Sequence, residues 1–326
     1  MTAFRSLWAV AGLAALLALP PDFSANAAKP TGGGGGGTSG GTSAGQNVIF
    51  NIQFGGTTRT YIVHVPAGYD KRKSYPLVMV YHGKGGTGSG IEQKTGFDVI
   101  ADAQGFFVAY RSGLDGDWKP TGANNDIDFT KVIIQNIEMK YSINSSHIYA
   151  SGYSQGGNFA QILGCAMADW FAGFANVAGA MNATVASQCF PARPIAAMFF
   201  HGTADPVVPY NGGATLSGST VYSQQQTVEF WAAANDCPDD SATTVQFADA
   251  LSDGSTVTGS LETWSGCAAG TSIRLYTIEN GGHTWPGSDT TINGGGSSEV
   301  GLTSTGVKAS DLIWQILSPL ALAPAS

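Results

Sequence analysis

From residue 47 onward the chain alternates short apolar or β-branched runs with stretches in which apolar residues recur every three or four positions. Runs of the first kind can be buried on both faces of a sheet, and stretches of the second kind lay one stripe against it. The alternation therefore predicts a largely parallel sheet covered by helices on both faces. Eight strands are expected at 47–54, 59–66, 76–81, 106–110, 147–152, 172–177, 195–200 and 273–279. The first two flank Gly55-Gly56 and read as an antiparallel hairpin. Helices are expected at 95–104, 128–141, 156–167, 223–234 and 307–317. In the second of these Phe129, Val132, Ile133, Asn136, Ile137 and Lys140 follow helical spacing, with the apolar members forming a stripe. Segment 241–270 is polar and Gly-rich, and it reads as an irregular excursion.

The beginning of the chain obeys different rules. Arg5, an apolar run over 7–19 and Ala25-Asn26-Ala27 form a secretory signal pattern, so residues 1–27 are expected to be removed on export. That run is too short to span a bilayer. Residues 28–46 are nearly all Gly, Ser, Thr and Ala and read as a disordered spacer, leaving 47–326 as one domain.

Of the 326 residues 43% are apolar, yet only 12% are charged, with 45 glycines and a net charge of −8. The ordinary apolar share argues against disorder, and the missing charge has been replaced by small polar residues. Fifteen basic residues against 23 acidic ones, with no basic run, make a poor partner for phosphate backbones, so nucleic-acid binding is excluded. Four cysteines in an exported chain form an even count that reads as a disulfide set, with three pairings open. The favoured pairing is Cys165 with Cys189 and Cys237 with Cys267, each closing a short loop worth about 3 kcal/mol in the chain-entropy account. No Cys-x-x-Cys or His-x-x-x-His spacing points to a metal.

Gly152-Tyr153-Ser154-Gln155-Gly156 matches Gly-x-Ser-x-Gly, with an expected strand running into it and an expected helix leaving it. That context makes a nucleophile elbow, in which a sharp turn lifts the serine oxygen above the sheet. A serine hydroxyl needs a base, and the base needs an orienting carboxylate. Asp205, in His201-Gly-Thr-Ala-Asp205-Pro, and His283, in Gly281-Gly282-His283-Thr-Trp285-Pro286, follow later strands in the order Ser, Asp, His. Asp126 and Asp128 precede the nucleophile and open a helix, where acidic side chains suit the dipole. His64, His147 and His201 lie on strands or strand ends and read as structural. His82 abuts a Gly-rich turn, Tyr81-His82-Gly83-Lys84-Gly85-Gly86, able to aim backbone amides at a developing oxyanion. One donor is expected from Gln155 and the other from Lys84 or Gly83. Gly83-x-Gly85-x-x-Gly88 also fits a dinucleotide fingerprint, but no acidic residue closes the next strand, where Tyr110-Arg111 stands.

These segments, together with Arg59-Thr-Tyr-Ile-Val-His-Val-Pro-Ala-Gly-Tyr69 and Asn125-Asp-Ile-Asp-Phe129, resemble the secreted feruloyl esterases and the related polyhydroxybutyrate-depolymerase-like esterases. The likeness covers residues 47 to 317. It implies an α/β-hydrolase fold, a triad that lands on Ser154, Asp205 and His283, and cysteine pairs in the places already favoured. Gln155 stands where Asn or Ala is frequent in that family, and Asn125 where Asp is common. The first departure makes the serine box similar to that of cutinases.

The resemblance implies an ester substrate: a hydroxycinnamoyl ester of cell-wall polysaccharide first, a hydroxyalkanoate polyester or acetylated xylan second. Trp285, Trp118 and Tyr153 are the expected walls of an aromatic acyl pocket. Neither metal nor organic cofactor is expected, and the sequence is silent on oligomeric state. A non-catalytic carbohydrate-binding protein on the same scaffold would lose a triad member, and this chain keeps all three.

Overall fold

The computed structural model describes residues 44–122, 125–288 and 300–322. The expected signal at 1–27 and residues 28–43 of the expected spacer lie outside the described residues. The order begins β1 (Gln46–Phe54), β2 (Thr57–Val65), β3 (Tyr75–Tyr81), α1 (Gly88–Thr95), α2 (Phe97–Gln104), β4 (Phe107–Arg111), α3 (Asp126–Lys140) and β5 (Ile143–Tyr153). It continues with α4 (Gln155–Ala166), β6 (Gly173–Val177), α5 (Ala183–Gln188), β7 (Ala196–Gly202) and the short pair β8 (Gly213–Ala214) and β9 (Thr220–Val221). Then come α6 (Gln224–Ala234), β10 (Ala242–Ala250), β11 (Thr256–Trp264), β12 (Ile273–Ile278) and α7 (Ala309–Leu317).

The main sheet runs β1-β2-β4-β3-β5-β6-β7-β12-β11-β10. Its centre, from β4 to β12, is parallel, and antiparallel pairs close both flanks. This is the α/β-hydrolase architecture, with ten strands where eight were expected. The two additional strands occupy segment 241–270, read from sequence as an excursion. Thr-Thr-Val-Gln-Phe and Thr-Val-Thr-Gly-Ser-Leu carry β-forming residues, but β10 lies at the edge and is mostly exposed, so no apolar run announced it.

Alternation within the central strands builds the layers. Leu77, Met79 and Tyr81 face one cluster with Phe129 and Ile133 of α3, Phe159 and Leu163 of α4 and Trp231 of α6. Val78 and Val80 face the other with Ile91 of α1, Phe97 of α2 and Ile313 of α7. Because a strand reverses its side chains at each residue, near-continuous apolar runs are what a sheet covered on both faces requires. The helix expected at 95–104 is α2 and begins only at Phe97, since Gly96 takes φ 60 and ends a preceding helix, α1. Helix α1 itself was missed because its first turn is Gly-Ser-Gly; Thr87 caps it instead.

The disulfides are Cys165–Cys189 and Cys237–Cys267, the favoured pairing. No described helix is long and apolar enough to cross a membrane.

Candidate active site

Strand β5 and helix α4 meet at Ser154, whose φ of 56 and ψ of −119 lie in a region that side-chain-bearing residues rarely occupy. The small flanking residues permit this. A Cβ on Gly152 would overlap the backbone of Gly156 and Gly157, and one on Gly156 would overlap the carbonyl oxygens of Tyr81 and His82. The amide of Ser154 donates to Val177 on β6 at 2.8 Å, fixing the turn to the neighbouring strand. The turn also puts Gln155 in the first position of α4, where an amide has no intrahelical partner.

Asp205 and His283 arrive on the loops after β7 and β12, which are parallel neighbours. These loops abut so closely that a Cβ on Gly202 would overlap the carbonyl of Gly281. His283 Nδ1 lies 2.7 Å from Asp205 Oδ2, and His283 Nε2 lies 2.8 Å from Ser154 Oγ. A carboxylate only accepts, so Nδ1 carries the ring proton and Nε2 is left to accept the serine hydroxyl. The amides of Val207 and Val208 both donate to Asp205 Oδ1 at 2.8 Å. Burial works against charge on Asp205, but hydrogen bonds from His201 and His283 outweigh it and hold the carboxyl well below the usual carboxylate range. His201, read from sequence as structural, sits 3.2 Å from Asp205 Oδ2 while its Nε2–H also meets the carbonyl of Val208 at 2.9 Å.

The Gly-rich turn after β3 lies against Ser154: a Cβ on Gly83 would stand 3.2 Å from that of Ser154. His82 is held at both ring nitrogens. Its Nδ1–H donates to the carbonyl of Gly83 at 2.7 Å, and its Nε2 accepts from the amide of Gly113 at 2.8 Å. Burial, with Arg111 nearby, lowers its pKa below the usual histidine value, so the ring is neutral. Gly86 also donates to the Gly83 carbonyl, at 3.0 Å. In a trans peptide the next amide points the opposite way, so the Lys84 N–H faces away from these two donors.

Two expected pocket walls are placed elsewhere. Trp285 is 1% exposed, packs near Phe97 and donates its indole N–H to Ser310. It anchors the loop that carries His283. Trp118 is 6% exposed, stacks on Phe159 and donates to the carbonyl of His82 at 2.8 Å. It braces the turn after β3 from below. Tyr153 does border the open cleft beside that turn, and its hydroxyl donates to the carbonyl of His283 at 2.6 Å.

Three groups have partners that the sequence did not reveal. Asp117 accepts a hydrogen bond from the Gln155 side chain, tying the loop after β4 to the elbow. Asp126, read as a helix-dipole partner, is a buried hub for Arg59 and Arg111 and also accepts from the Lys119 amide. Lys94 borders the cleft from α1. These pairings span loops and separate strands, so no local period reveals them. Among the described residues no three His, Cys, Asp or Glu side chains converge as a metal ligand set.

No protein-family model matches the chain. Among curated proteins it is 32% identical over 255 residues to a putative esterase, NocK, of Nocardia uniformis subsp. tsuyamanensis, covering 72% of this chain and 73% of that one. It is 30% identical over 239 residues to feruloyl esterase B of Piromyces equi, covering 69% of this chain but 42% of the longer protein. Among solved structures, an acetyl xylan esterase from Aspergillus awamori superposes with a TM-score of 0.53 at 16% identity, over 72% of this chain and 94% of that one. A ferulic acid esterase from Anaeromyces mucronatus, in complex with ferulic acid, gives 0.50 at 16% identity, over 76% and 88%.

Proposed function

Because the chain belongs to the esterase family of NocK, within the α/β-hydrolase fold, we propose that it is a serine carboxylic-ester hydrolase acting through Ser154, His283 and Asp205. The observation that carries this reading is the pair of contacts at His283, 2.8 Å to Ser154 Oγ and 2.7 Å to Asp205 Oδ2. Ser154 attacks the ester carbonyl while His283 Nε2 takes the hydroxyl proton and then delivers it to the departing alcohol. Water attacks the resulting acyl-enzyme, gives its proton to the same nitrogen, and the acid leaves as Ser154 recovers its hydrogen. Asp205 holds the ring in the tautomer this requires and offsets its positive charge.

Charge developing on the carbonyl oxygen falls to the amides of Gln155 and Lys84. The Lys84 amide is favoured over that of Gly83 because the Gly83 carbonyl is pinned by His82 and Gly86, which orients the following N–H. The substrate is a hydroxycinnamoyl ester of plant polysaccharide. Support comes from the feruloyl esterase relatives. The apolar leader and two disulfides support export from the cell.

Ser154→Ala tests the mechanism. Hydrolysis of p-nitrophenyl acetate should fall by on the order of 10⁴-fold or more with the fold intact. Near-normal turnover in that variant would refute the assignment. Side-by-side hydrolysis of methyl ferulate, acetylated xylan and a polyhydroxybutyrate film tests the substrate, and preference for the film or the acetylated polymer would replace the hydroxycinnamoyl reading.

A further inference from the structure

A cleft of about 220 Å³ opens beside the nucleophile, lined by His82, Gly83, Lys84, Ile91, Lys94 and Tyr153 among others. Its inner wall is continuous with the catalytic centre, since Gly83 packs against Ser154 and Tyr153 hydrogen-bonds the backbone of His283. The half-buried Lys94 comes from the last turn of α1, and its ammonium lies 4.9 Å from the centre of the Tyr153 ring.

Among the described residues no carboxylate pairs with Lys94. The acidic side chains Glu92 of α1 and Asp98 of α2 are engaged elsewhere. Glu92 accepts from the Asn47 amide at 2.7 Å, and Asp98 accepts from the Tyr110 hydroxyl at 2.6 Å. Among the described residues no acidic side chain lines the cleft, and two lysines border the approach to Ser154 in a chain whose net charge is −8. A lysine that served only the dipole at the end of α1 would extend into water, where an ammonium is best solvated. Lying over a ring face instead, Lys94 is partly stripped of water, and burial lowers its pKa. Among the described residues its three N–H donors meet the face of the Tyr153 ring and no hydrogen-bonding side chain.

We propose that this cleft is a substrate subsite for an acidic oxygen, a phenol or a carboxylate, and that Lys94 is the specificity-determining donor that reads it. The proposal rests on the esterase reading of Ser154 and deepens it by naming the group that the substrate must carry. A phenol would sit on the acyl side of the ester, as in a hydroxycinnamoyl group, whereas a carboxylate would come from the alcohol side.

The test uses two matched ester pairs. Methyl p-coumarate and methyl cinnamate differ only in a phenolic hydroxyl on the acyl group; 4-acetoxybenzoate and 4-acetoxybenzamide differ in a carboxylate on the leaving group. The wild-type protein should favour the oxygen-bearing member of one pair by roughly tenfold or more in kcat/KM, as expected for a charge-assisted hydrogen bond. The pair that is discriminated tells which side of the ester occupies the cleft. In Lys94→Met that ratio should collapse towards one, and Lys94→Arg should retain part of it. A purely structural lysine would lower both members of a pair equally and leave the ratio alone. An unchanged ratio in Lys94→Met, or a wild type that discriminates neither pair, overturns the inference. Failure of the esterase reading is separately visible, as turnover of p-nitrophenyl acetate that survives Ser154→Ala.

Discussion

His82 Nδ1 lies 2.7 Å from the carbonyl oxygen of the very next residue, Gly83, while the opposite ring nitrogen accepts the amide of Gly113. A buried, neutral imidazole thereby fixes one peptide plane beside Ser154, and the plane it fixes carries the Lys84 N–H. His82→Ala should therefore lower kcat for p-nitrophenyl acetate by about 10- to 100-fold while KM changes little, because an oxyanion donor acts mainly in the transition state. Steady-state kinetics check this. A rise in KM with kcat intact would place the function of His82 in substrate binding instead.

On the far side of the sheet from α3, His64 lies 2.9 Å from Asp102 Oδ1 and 3.3 Å from Asp98 Oδ2. Burial lowers the pKa of His64, but the hydrogen bonds to Asp98 and Asp102 outweigh it and raise the pKa overall. Asp98 is lowered in turn: burial opposes its charge, and hydrogen bonds from His64 and Tyr110 overcome that. A raised histidine stabilises the fold fully below its unfolded pKa of about 6.5 and loses that contribution as pH climbs through the folded value. A depressed aspartate stabilises above about 3.9 and loses its contribution as pH falls through the folded value. Both are present near pH 5. The difference in Tm between the wild type and His64→Gln should be largest there and shrink towards pH 8 and above, as followed by thermal melts across that range. A difference that grows with pH would contradict the charged pairing.

Asp126 is a second buried carboxylate, and its partners are cations. It faces Arg59 and Arg111 with about 1% of its surface exposed, and Arg111 lies 5.0 Å over the ring of Trp118, the residue that braces His82. Replacing the anion takes this carboxylate from both buried guanidiniums. Asp126→Asn should cost about 3–5 kcal/mol by urea unfolding. Replacing Asp128, which is exposed at the same helix start, should cost well under 1 kcal/mol beyond its dipole contribution. Equal losses for the two would make the helix dipole, rather than the buried hub, the reason for Asp126.

The meeting of Ser154, Asp205 and His283 was legible because each follows a strand and sits on a Gly-marked turn: Gly152 and Gly156 around Ser154, Gly202 before Asp205, Gly281 and Gly282 before His283. Local composition reports local backbone, and the parallel sheet then brings those turns to one edge. The central strands were legible for a similar reason, since burial on both faces leaves an unbroken apolar run. Strand β10 lacked that signature because its edge position leaves most of it exposed. The two tryptophans were misjudged on chemistry alone. Nothing local distinguishes an indole lining a cleft from Trp285 donating inward to Ser310 or Trp118 bonded to His82. Asp117, Asp126 and Lys94 act through partners far away in the chain, so only the folded chain shows them.

The two disulfides close loops of 24 and 30 residues, but they sit at unlike junctions. Around Cys237–Cys267 the chain is already tied by hydrogen bonds: the Ala268 amide donates to the carbonyl of Asn235, and the Asn235 side chain bonds both the amide and the carbonyl of Ile195. Cys165–Cys189 joins α4 to the end of α5, where Phe190 is 81% exposed. If a disulfide acts by restricting the unfolded chain, native surroundings do not matter and similar loops give similar stabilisation, about 3 kcal/mol each. Replacing either pair by alanines should then lower the unfolding free energy in urea by nearly the same amount, with a larger m-value as the freed chain expands. A markedly greater loss for the Cys165–Cys189 pair would instead assign its stabilisation to holding α5 in the native state.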